Sequence, residues 1–271
     1  MSETNLSDLA LLRDAAEEAG ALAMRYFRRD PHAWQKHGGS PVTEADMAVD
    51  RFLQDMLLAA RPEYGWLSEE TADDPARRSQ RRTFIVDPID GTRGFIAGDE
   101  RWCVSLAVVE AGRPVVAALN VPALGRLYTG AAGEGAWAGA RRLRVTRTAS
   151  LAKARLAGPK SWFSAEPLRS LRDSRGPYMP SLAYRFALVA EGSLDAAFAR
   201  PRSQDWDLAA CDLLVHEAGG RLTGPDGAPP VYNRSSLRHG LLAAGNPALQ
   251  AALMEALVAV AAERQETGEG N

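Results

Sequence analysis

The segment Thr83-Phe-Ile-Val-Asp87-Pro-Ile-Asp90-Gly-Thr92 places two carboxylates three residues apart at the end of an apolar run. A buried strand here would deliver Asp87 at its exit. Pro88 lacks an N–H and forces an extended turn, so both acids can face one ion. The carbonyl of Ile89 lies between them and offers a further oxygen. Gly91 and Thr92 then open a helical turn whose N–H groups suit a phosphate. Metal beside phosphate is the arrangement that phosphoryl chemistry requires. A lone Asp-x-x-Asp also reads as a capped turn with solvated acids. Further carboxylates in similar places shift the balance: Glu69 and Glu70 after a short strand, Asp46 three residues beyond Thr43, and Asp207 in the first turn of an apolar helix. Acids at helix starts often serve only the dipole, so these residues inform as a set. Oxygen-only donors imply a hard ion such as Mg²⁺. The four histidines, His32, His37, His216 and His239, make no zinc spacing. No Gly-x-Ser-x-Gly elbow supports a serine route.

The elements that must position these residues follow from hydrophobic period and punctuation. Leu6 to Arg28 has apolar residues at helical spacing, with Ser7 or Asn5 as cap and Asp30-Pro31 as stop. His37 to Pro41 reads as a loop, and Lys36 to Pro41 as a segment able to close over the site through its glycines. Thr43 to Ala60 is expected to be helical, with Thr43 as N-cap. Strands are expected at Tyr64–Leu67, Thr83–Asp87, Trp102–Glu110, Pro114–Val121, Arg126–Thr129 and Gly135–Ala138. In the second half, Leu182–Glu191, Asp205–Ala218 and Pro247–Ala262 read as helices, and Asp195–Ala199 and Gly240–Ala244 as strands. The elements interleave without a regular βαβ rhythm, which favours layered sheets and helices over a Rossmann domain or a barrel.

Composition narrows the function classes. The chain has 271 residues, 46% hydrophobic and 24% charged, with a net charge of −2. That is ordinary for a globular protein and gives no basis for binding a nucleic-acid polymer. No run approaches the roughly 20 apolar residues of a membrane span. The N-terminus lacks the pattern of a secretory signal, so the cytoplasm is the expected location. Cys103 and Cys211 read as small buried hydrophobes rather than a disulfide framework.

Three ordered motifs resemble the inositol monophosphatase superfamily. The first is Trp66-Leu-Ser-Glu69-Glu70 followed by Ile85-Val-Asp87-Pro-Ile-Asp90-Gly-Thr92. The second is Trp206-Asp207-Leu-Ala-Ala-Cys-Asp-Leu-Leu-Val-His-Glu217-Ala-Gly-Gly220, and the third is Pro41-Val-Thr43-Glu-Ala-Asp46. The resemblance implies an α+β fold, a five-layered α-β-α-β-α sandwich, usually as a homodimer. It implies two or three Mg²⁺ ions held by Glu69, Asp87, the Ile89 carbonyl, Asp90 and Asp207, with Glu70 supporting a further metal or the surrounding shell. Asp46, Glu69 and Thr92 would be catalytic, through activation of water by Thr92 and Asp46, and Gly91 and Thr92 would hold the phosphate. Lithium sensitivity would follow. The expected division is one phosphatase domain over residues 1–262 and a flexible tail over 263–271. The half up to about 145 carries most metal ligands, and residues 146–262 carry Asp207 and the substrate contacts.

The expected activity is hydrolysis of a small phosphate monoester, either inositol monophosphate or 3′(2′)-phosphoadenosine 5′-phosphate. Histidinol phosphate or a sugar phosphate is the alternative. A non-catalytic metabolite-binding protein and a Ca²⁺-stabilised domain are the readings from other classes. Where inositol-specific members carry a glutamate ahead of Trp206-Asp207, this chain has Ala199 and Arg200. Arg185, Arg200 and Arg202 would suit a second anionic group on the substrate, and also read as surface or interface charges.

Overall fold

The apolar run ahead of Asp87 is buried on both faces, and the layering of the molecule follows from the cover that each face needs. The structure, a computed structural model, describes residues 3–36, 39–166, 168–176 and 178–266. Helix α1 (Glu3–Met24) leads to a hairpin of β1 (Ala33–Gln35) and β2 (Pro41–Thr43), then helix α2 (Glu44–Ala60). A seven-stranded sheet comprises, in spatial order, β3 (Gly65–Ser68), β4 (Arg82–Asp90), β5 (Cys103–Glu110), β6 (Arg113–Val121), β7 (Arg126–Ala131), β8 (Gly135–Ala138) and β9 (Arg141–Arg142). Strands β3 and β4 are parallel and the remaining neighbours antiparallel. The short helix α3 (Thr92–Ile96) joins β4 to β5. The second half begins with β10 (Leu156–Ala157), α4 (Leu182–Ala190), β11 (Ala196–Ala199) and α5 (Asp205–Glu217). It ends with β12 (Arg221–Thr223), β13 (Leu242–Gly245) and α6 (Pro247–Glu266). Its four strands form a sheet in the order β10-β11-β13-β12.

Successive side chains of a strand point to opposite faces. Phe84, Val86, Val104 and Leu106 therefore pack with Leu12 and Ala16 of α1 and Val49 and Leu53 of α2. Ile85, Cys103 and Ala107, one position out of phase, share a core with Ala187 of α4 and Leu208 and Leu214 of α5. Ala197, Ala199, Leu242 and Ala244 of the smaller sheet join that core. The other face of the smaller sheet, with Ala196, Phe198 and Ala243, takes Leu249, Leu253 and Leu257 of α6. The layers run α1/α2, seven-stranded sheet, α4/α5, four-stranded sheet, α6. This is the expected α-β-α-β-α sandwich.

Several local expectations change. Helix α1 spans Glu3–Met24, so neither Asn5 nor Ser7 caps it. Their side chains accept instead from the guanidinium groups of Arg82 and Arg61. The helix stops before Arg28, where Arg28 and Asp30 take positive φ of 59° and 52°. Strand β4 does not end at Asp87 but continues through Pro88 to Asp90, with a register shift against β5 between the two acids. A bulge accommodates a residue that cannot donate to the ladder. Strands β1, β2, β9, β10 and β12 were not expected, being too short to show alternation. Helix α6 extends past Ala262 to Glu266. His37 and Gly38 of the expected loop, and residues 267–271 of the expected tail, lie outside the described residues.

Asp195, at the entry to β11, ties the preceding chain to the smaller sheet. It is 3% exposed and accepts from Thr148 Oγ1 at 2.8 Å, Arg155 N–H at 2.7 Å and Arg155 Nε at 3.1 Å. Burial alone would raise its pKa, but these donors outweigh burial and hold it at about 2. A carboxyl with a folded pKa below its unfolded value stabilises the fold above the unfolded pKa, and that stability is lost as pH falls towards 2. Asp195→Asn is expected to lower the unfolding free energy by about 2 kcal/mol at pH 7. Urea titrations should show the gap to wild type closing between pH 4 and pH 2. A gap independent of pH would refute this account.

Candidate active site

The parallel pair β3–β4 delivers two acids side by side. Ser68 pairs with Val86, and the Glu69 N–H extends the ladder to the Val86 carbonyl at 3.2 Å. Glu69, just past the end of β3, and Asp87, within β4 ahead of its bulge, thus lie side by side. Beyond the bulge, one oxygen of Asp90 accepts from the hydroxyl of Ser181 and from the Ala183 N–H at 2.6 Å. Ser181 is the N-cap of α4. Asp207 lies in the first turn of α5, and its Oδ2 accepts from the Gln204 N–H at 2.7 Å. One oxygen from each of Asp87, Asp90 and Asp207 lies within 4.8 Å of the others. Two strand exits and two helix starts converge there, and the positive helix ends favour the anionic side chains.

These carboxylates are crowded and poorly hydrated. Asp87 and Asp90 are 1% and 6% exposed, and Asp207 is half-buried. Burial, then the charges of Glu69, Asp90 and Asp207, push the Asp87 pKa well above the carboxylate range. Burial pushes Asp90 up to about 6, although the donors from Ser181 and Ala183 offset part of the effect. Asp207 is raised by burial and by the Asp90 charge. Asp87 Oδ1 accepts from the Ile89 N–H at 3.1 Å, whereas Oδ2 is buried with no hydrogen-bond partner among the described residues. A buried acceptor without a donor is unfavourable. A hard divalent cation would satisfy it and discharge the cluster at once, so the donor set fits Mg²⁺.

On the opposite side stands Asp46. Its Oδ2 accepts from the N–H and hydroxyl of Thr43, the capping arrangement expected for α2. Its Oδ1 is 3.2 Å from Thr92 Oγ1, which in turn is 3.0 Å from the Ile89 carbonyl. Burial raises the Asp46 pKa to about 6 against the two bonds from Thr43, with Glu69 adding to the rise. Gly91 caps α3 at φ 96°, and a Cβ there would sit 3.0 Å from the Ser181 nitrogen. Its conformation and its tight contact with α4 both call for glycine.

The structure also brings in groups that the sequence reading missed. Lys36 Nζ lies 2.9 Å from Glu69 Oε1 and 2.7 Å from Glu70 Oε1. Glu70 is raised by burial to about 7, with the Lys36 hydrogen bond working against that rise. Ser181 and the Ala183 N–H are the other missed partners. The Ser-Leu-Ala-Tyr start of α4 signalled a cap, but nothing local signalled that the cap would face Asp90. Asp50 of α2 accepts from Ser68 and from Thr71 at 2.7 Å, which fixes the exit of β3.

The three arginines sit in different settings, one buried and two exposed. Arg185 is 9% exposed, and its guanidinium donates to the carbonyls of Met179 at 2.9 Å and Phe198 at 3.3 Å. Among the described residues no carboxylate forms an ion pair with it. Burial lowers its pKa, against the charge of Asp90. Arg200 and Arg202 are exposed on the turn between β11 and α5.

Without a divalent ion, the acid cluster has a clear consequence. A carboxyl with a folded pKa above its unfolded value favours the fold when protonated. The metal-free protein should therefore lose stability as pH rises from about 4 through about 6. Saturating Mg²⁺ near pH 8 is expected to raise the melting temperature by roughly 5–10 °C. The increment should shrink towards pH 5. An Mg²⁺ effect that is absent, or larger at pH 5, would count against the site.

Comparison with known proteins gives a consistent set. The profile of the inositol monophosphatase family matches residues 6–264. The chain is 38% identical to a histidinol-phosphatase of Mycobacterium tuberculosis, over 89% of this chain and 96% of that protein. It is 30% identical to the 3′(2′),5′-bisphosphate nucleotidase CysQ of Aggregatibacter actinomycetemcomitans, over 83% and 88% of the two chains. The solved structure of the Thermotoga maritima IMPase superposes with a TM-score of 0.82 at 27% identity, covering 94% of this chain and 98% of that one. No helix among the described residues is long and apolar enough to cross a membrane.

Proposed function

From the premise that this chain belongs to the inositol monophosphatase family of phosphatases, we propose that it is a Mg²⁺-dependent phosphomonoesterase acting on a small metabolite that carries two phosphate groups. The observation that carries the chemistry is the set Asp87, Asp90 and Asp207, with converging oxygens and a partnerless Asp87 Oδ2. In this reading Glu69, Asp87, the Ile89 carbonyl, Asp90 and Asp207 would hold two or three Mg²⁺ ions, with Glu70 in the surrounding shell. When bound there, Mg²⁺ would supply the positive charge that phosphoryl transfer needs. The rest is done by this chain. Thr92 Oγ1 orients the attacking water and passes its proton towards Asp46 Oδ1, 3.2 Å away. Asp46, with a pKa near 6, is poised to accept a proton at neutral pH. The N–H groups of Gly91 and Thr92 receive the phosphate, and the starts of α4 and α5 add to the local positive potential.

The leaving group is read from Arg185. Its guanidinium is buried one turn into α4, beside the helix start that holds Asp90, and among the described residues it forms no ion pair with a carboxylate. A second phosphate would suit it. 3′(2′)-Phosphoadenosine 5′-phosphate is therefore the proposed substrate, in line with the match to a bisphosphate nucleotidase. Histidinol phosphate is the second reading, favoured by the 38% identity to a histidinol-phosphatase. Its leaving group carries an ammonium, which an unpaired guanidinium disfavours. Inositol 1-phosphate offers only hydroxyls beyond its phosphate. Lithium inhibition, a homodimer and a cytoplasmic location belong to the same proposal.

The test is phosphate release from these three esters, with and without Mg²⁺, compared by kcat/KM. Adenosine 3′,5′-bisphosphate is expected to lead by at least about tenfold, the scale of one good charged contact. A lead for histidinol phosphate would overturn the substrate assignment and leave the chemistry intact. No Mg²⁺-dependent release from any of the three would overturn both.

A further inference from the structure

The loop from Arg200 to Gln204 carries two arginines read from sequence as candidate substrate contacts and leads into the start of α5, which holds Asp207. Its backbone holds a conformation that non-glycine residues adopt only when their surroundings impose it, since Arg202 lies at φ 87°. The restraint comes from a segment far along the chain. The Arg202 N–H donates to the His239 carbonyl at 2.9 Å, and the His239 N–H donates to the Ser203 carbonyl at 2.8 Å. Gln204 pairs with Arg238 in an isolated antiparallel bridge. The imidazole completes the clamp, with His239 Nε2 2.7 Å from Asp205 Oδ1. The other oxygen of Asp205 accepts from the Asn233 N–H at 2.7 Å.

Asp205 is fully buried at 0% exposure, and a desolvated carboxylate persists only when it is bonded. It stands two residues before Asp207, yet its oxygens are engaged by the 233–239 segment and it is absent from the converging set of Asp87, Asp90 and Asp207. The Gln204 N–H that orients Asp207 Oδ2 at 2.7 Å belongs to the same stretch that His239 pins. Backbone restraint and ligand orientation therefore share one short piece of chain.

We infer that His239 is a positioning residue: acting through Asp205 and the 202–204 backbone, it holds the Asp207 carboxylate in register for Mg²⁺. The inference rests on the metal-phosphatase reading of the site. Partners that orient a ligating side chain typically change metal affinity by 10–100-fold when removed. The imidazole here reaches the ligand through one intervening residue, so the lower end of that range applies.

The test compares His239→Ala with His239→Gln. The glutamine amide can place an N–H where Nε2 stands. Mg²⁺ binding to the folded protein is measured by titration calorimetry, and kcat and KM for adenosine 3′,5′-bisphosphate are measured alongside. His239→Ala is expected to weaken Mg²⁺ binding roughly tenfold and to lower kcat/KM with it, while His239→Gln returns both close to wild type. A purely structural histidine would lower the melting temperature of His239→Ala and leave Mg²⁺ affinity unchanged, which would overturn the inference. If His239→Ala does not fold, His239→Asn takes its place. Asparagine is too short to reach Asp205, so it should bind Mg²⁺ more weakly than the glutamine variant, and equal affinities would overturn the clamp. A wild-type protein that binds Mg²⁺ but cleaves no ester would remove the phosphatase reading, and the calorimetric comparison would still decide on the clamp.

Discussion

Replacing Asp90 with asparagine is expected to reduce kcat by roughly 10³-fold or more, a barrier increase of about 4 kcal/mol, while the protein stays folded. Asp90 is 6% exposed, and one of its oxygens is already committed to Ser181 and Ala183. The asparagine carbonyl can keep those two donors, so the start of α4 remains tied to the end of β4. What disappears is a negative charge and the oxygen that faces Asp87 and Asp207. Removing that charge also eases the repulsion that raises Asp87 and Asp207. The metal-free variant should therefore melt at or above the wild-type temperature at pH 8 and respond less to Mg²⁺. Stability and activity move in opposite directions, which a folding defect cannot mimic. Retained turnover in Asp90→Asn would end the proposal that this carboxylate belongs to the site.

Asp46→Asn is expected to lower kcat by about 10²–10⁴-fold, the range for loss of a positioned general base. The Asp46 side chain has two tasks on its two oxygens. One closes the cap of α2 with Thr43, and the other faces Thr92. Asparagine can keep the cap with its carbonyl, so α2 should hold. Its amide would then face Thr92 Oγ1 as a donor, and the hydroxyl could no longer hand a proton in that direction. In wild type, the carboxylate form is the active one, so activity should rise with pH through an acid limb. That limb is expected at or below about pH 6, because positive charge in the neighbouring cage favours the ionised form of Asp46. The limb should vanish in Asp46→Asn. A variant with the wild-type pH profile and near wild-type kcat would show that another group takes the proton.

The sequence alone determined the chemistry-bearing residue types and most of the elements around them. The apolar run into Asp87, the capping pattern at Thr43 and Asp46, and the acid in the first turn of α5 are local patterns, and each formed the element that its period or cap predicts. The α+β layering was legible for the same reason: a strand apolar on both faces, as β4 is, demands cover on both sides. Pro88 was misread as the end of the strand, because a bulge depends on the partner strand rather than on the proline itself. The meeting of the acids was decided only in three dimensions. Ser181 faces Asp90 across 91 positions of chain, and Lys36 reaches Glu69 and Glu70 across a gap that no periodicity marks. Arg185 read from sequence as a candidate contact, but only packing buries its guanidinium without a carboxylate ion pair among the described residues. Local hydrogen bonding and side-chain period are written residue by residue. Burial, charge repulsion and the absence of a partner for Asp87 Oδ2 among the described residues arise only when distant segments share one interior, where desolvation turns ordinary acids into a site that favours a cation.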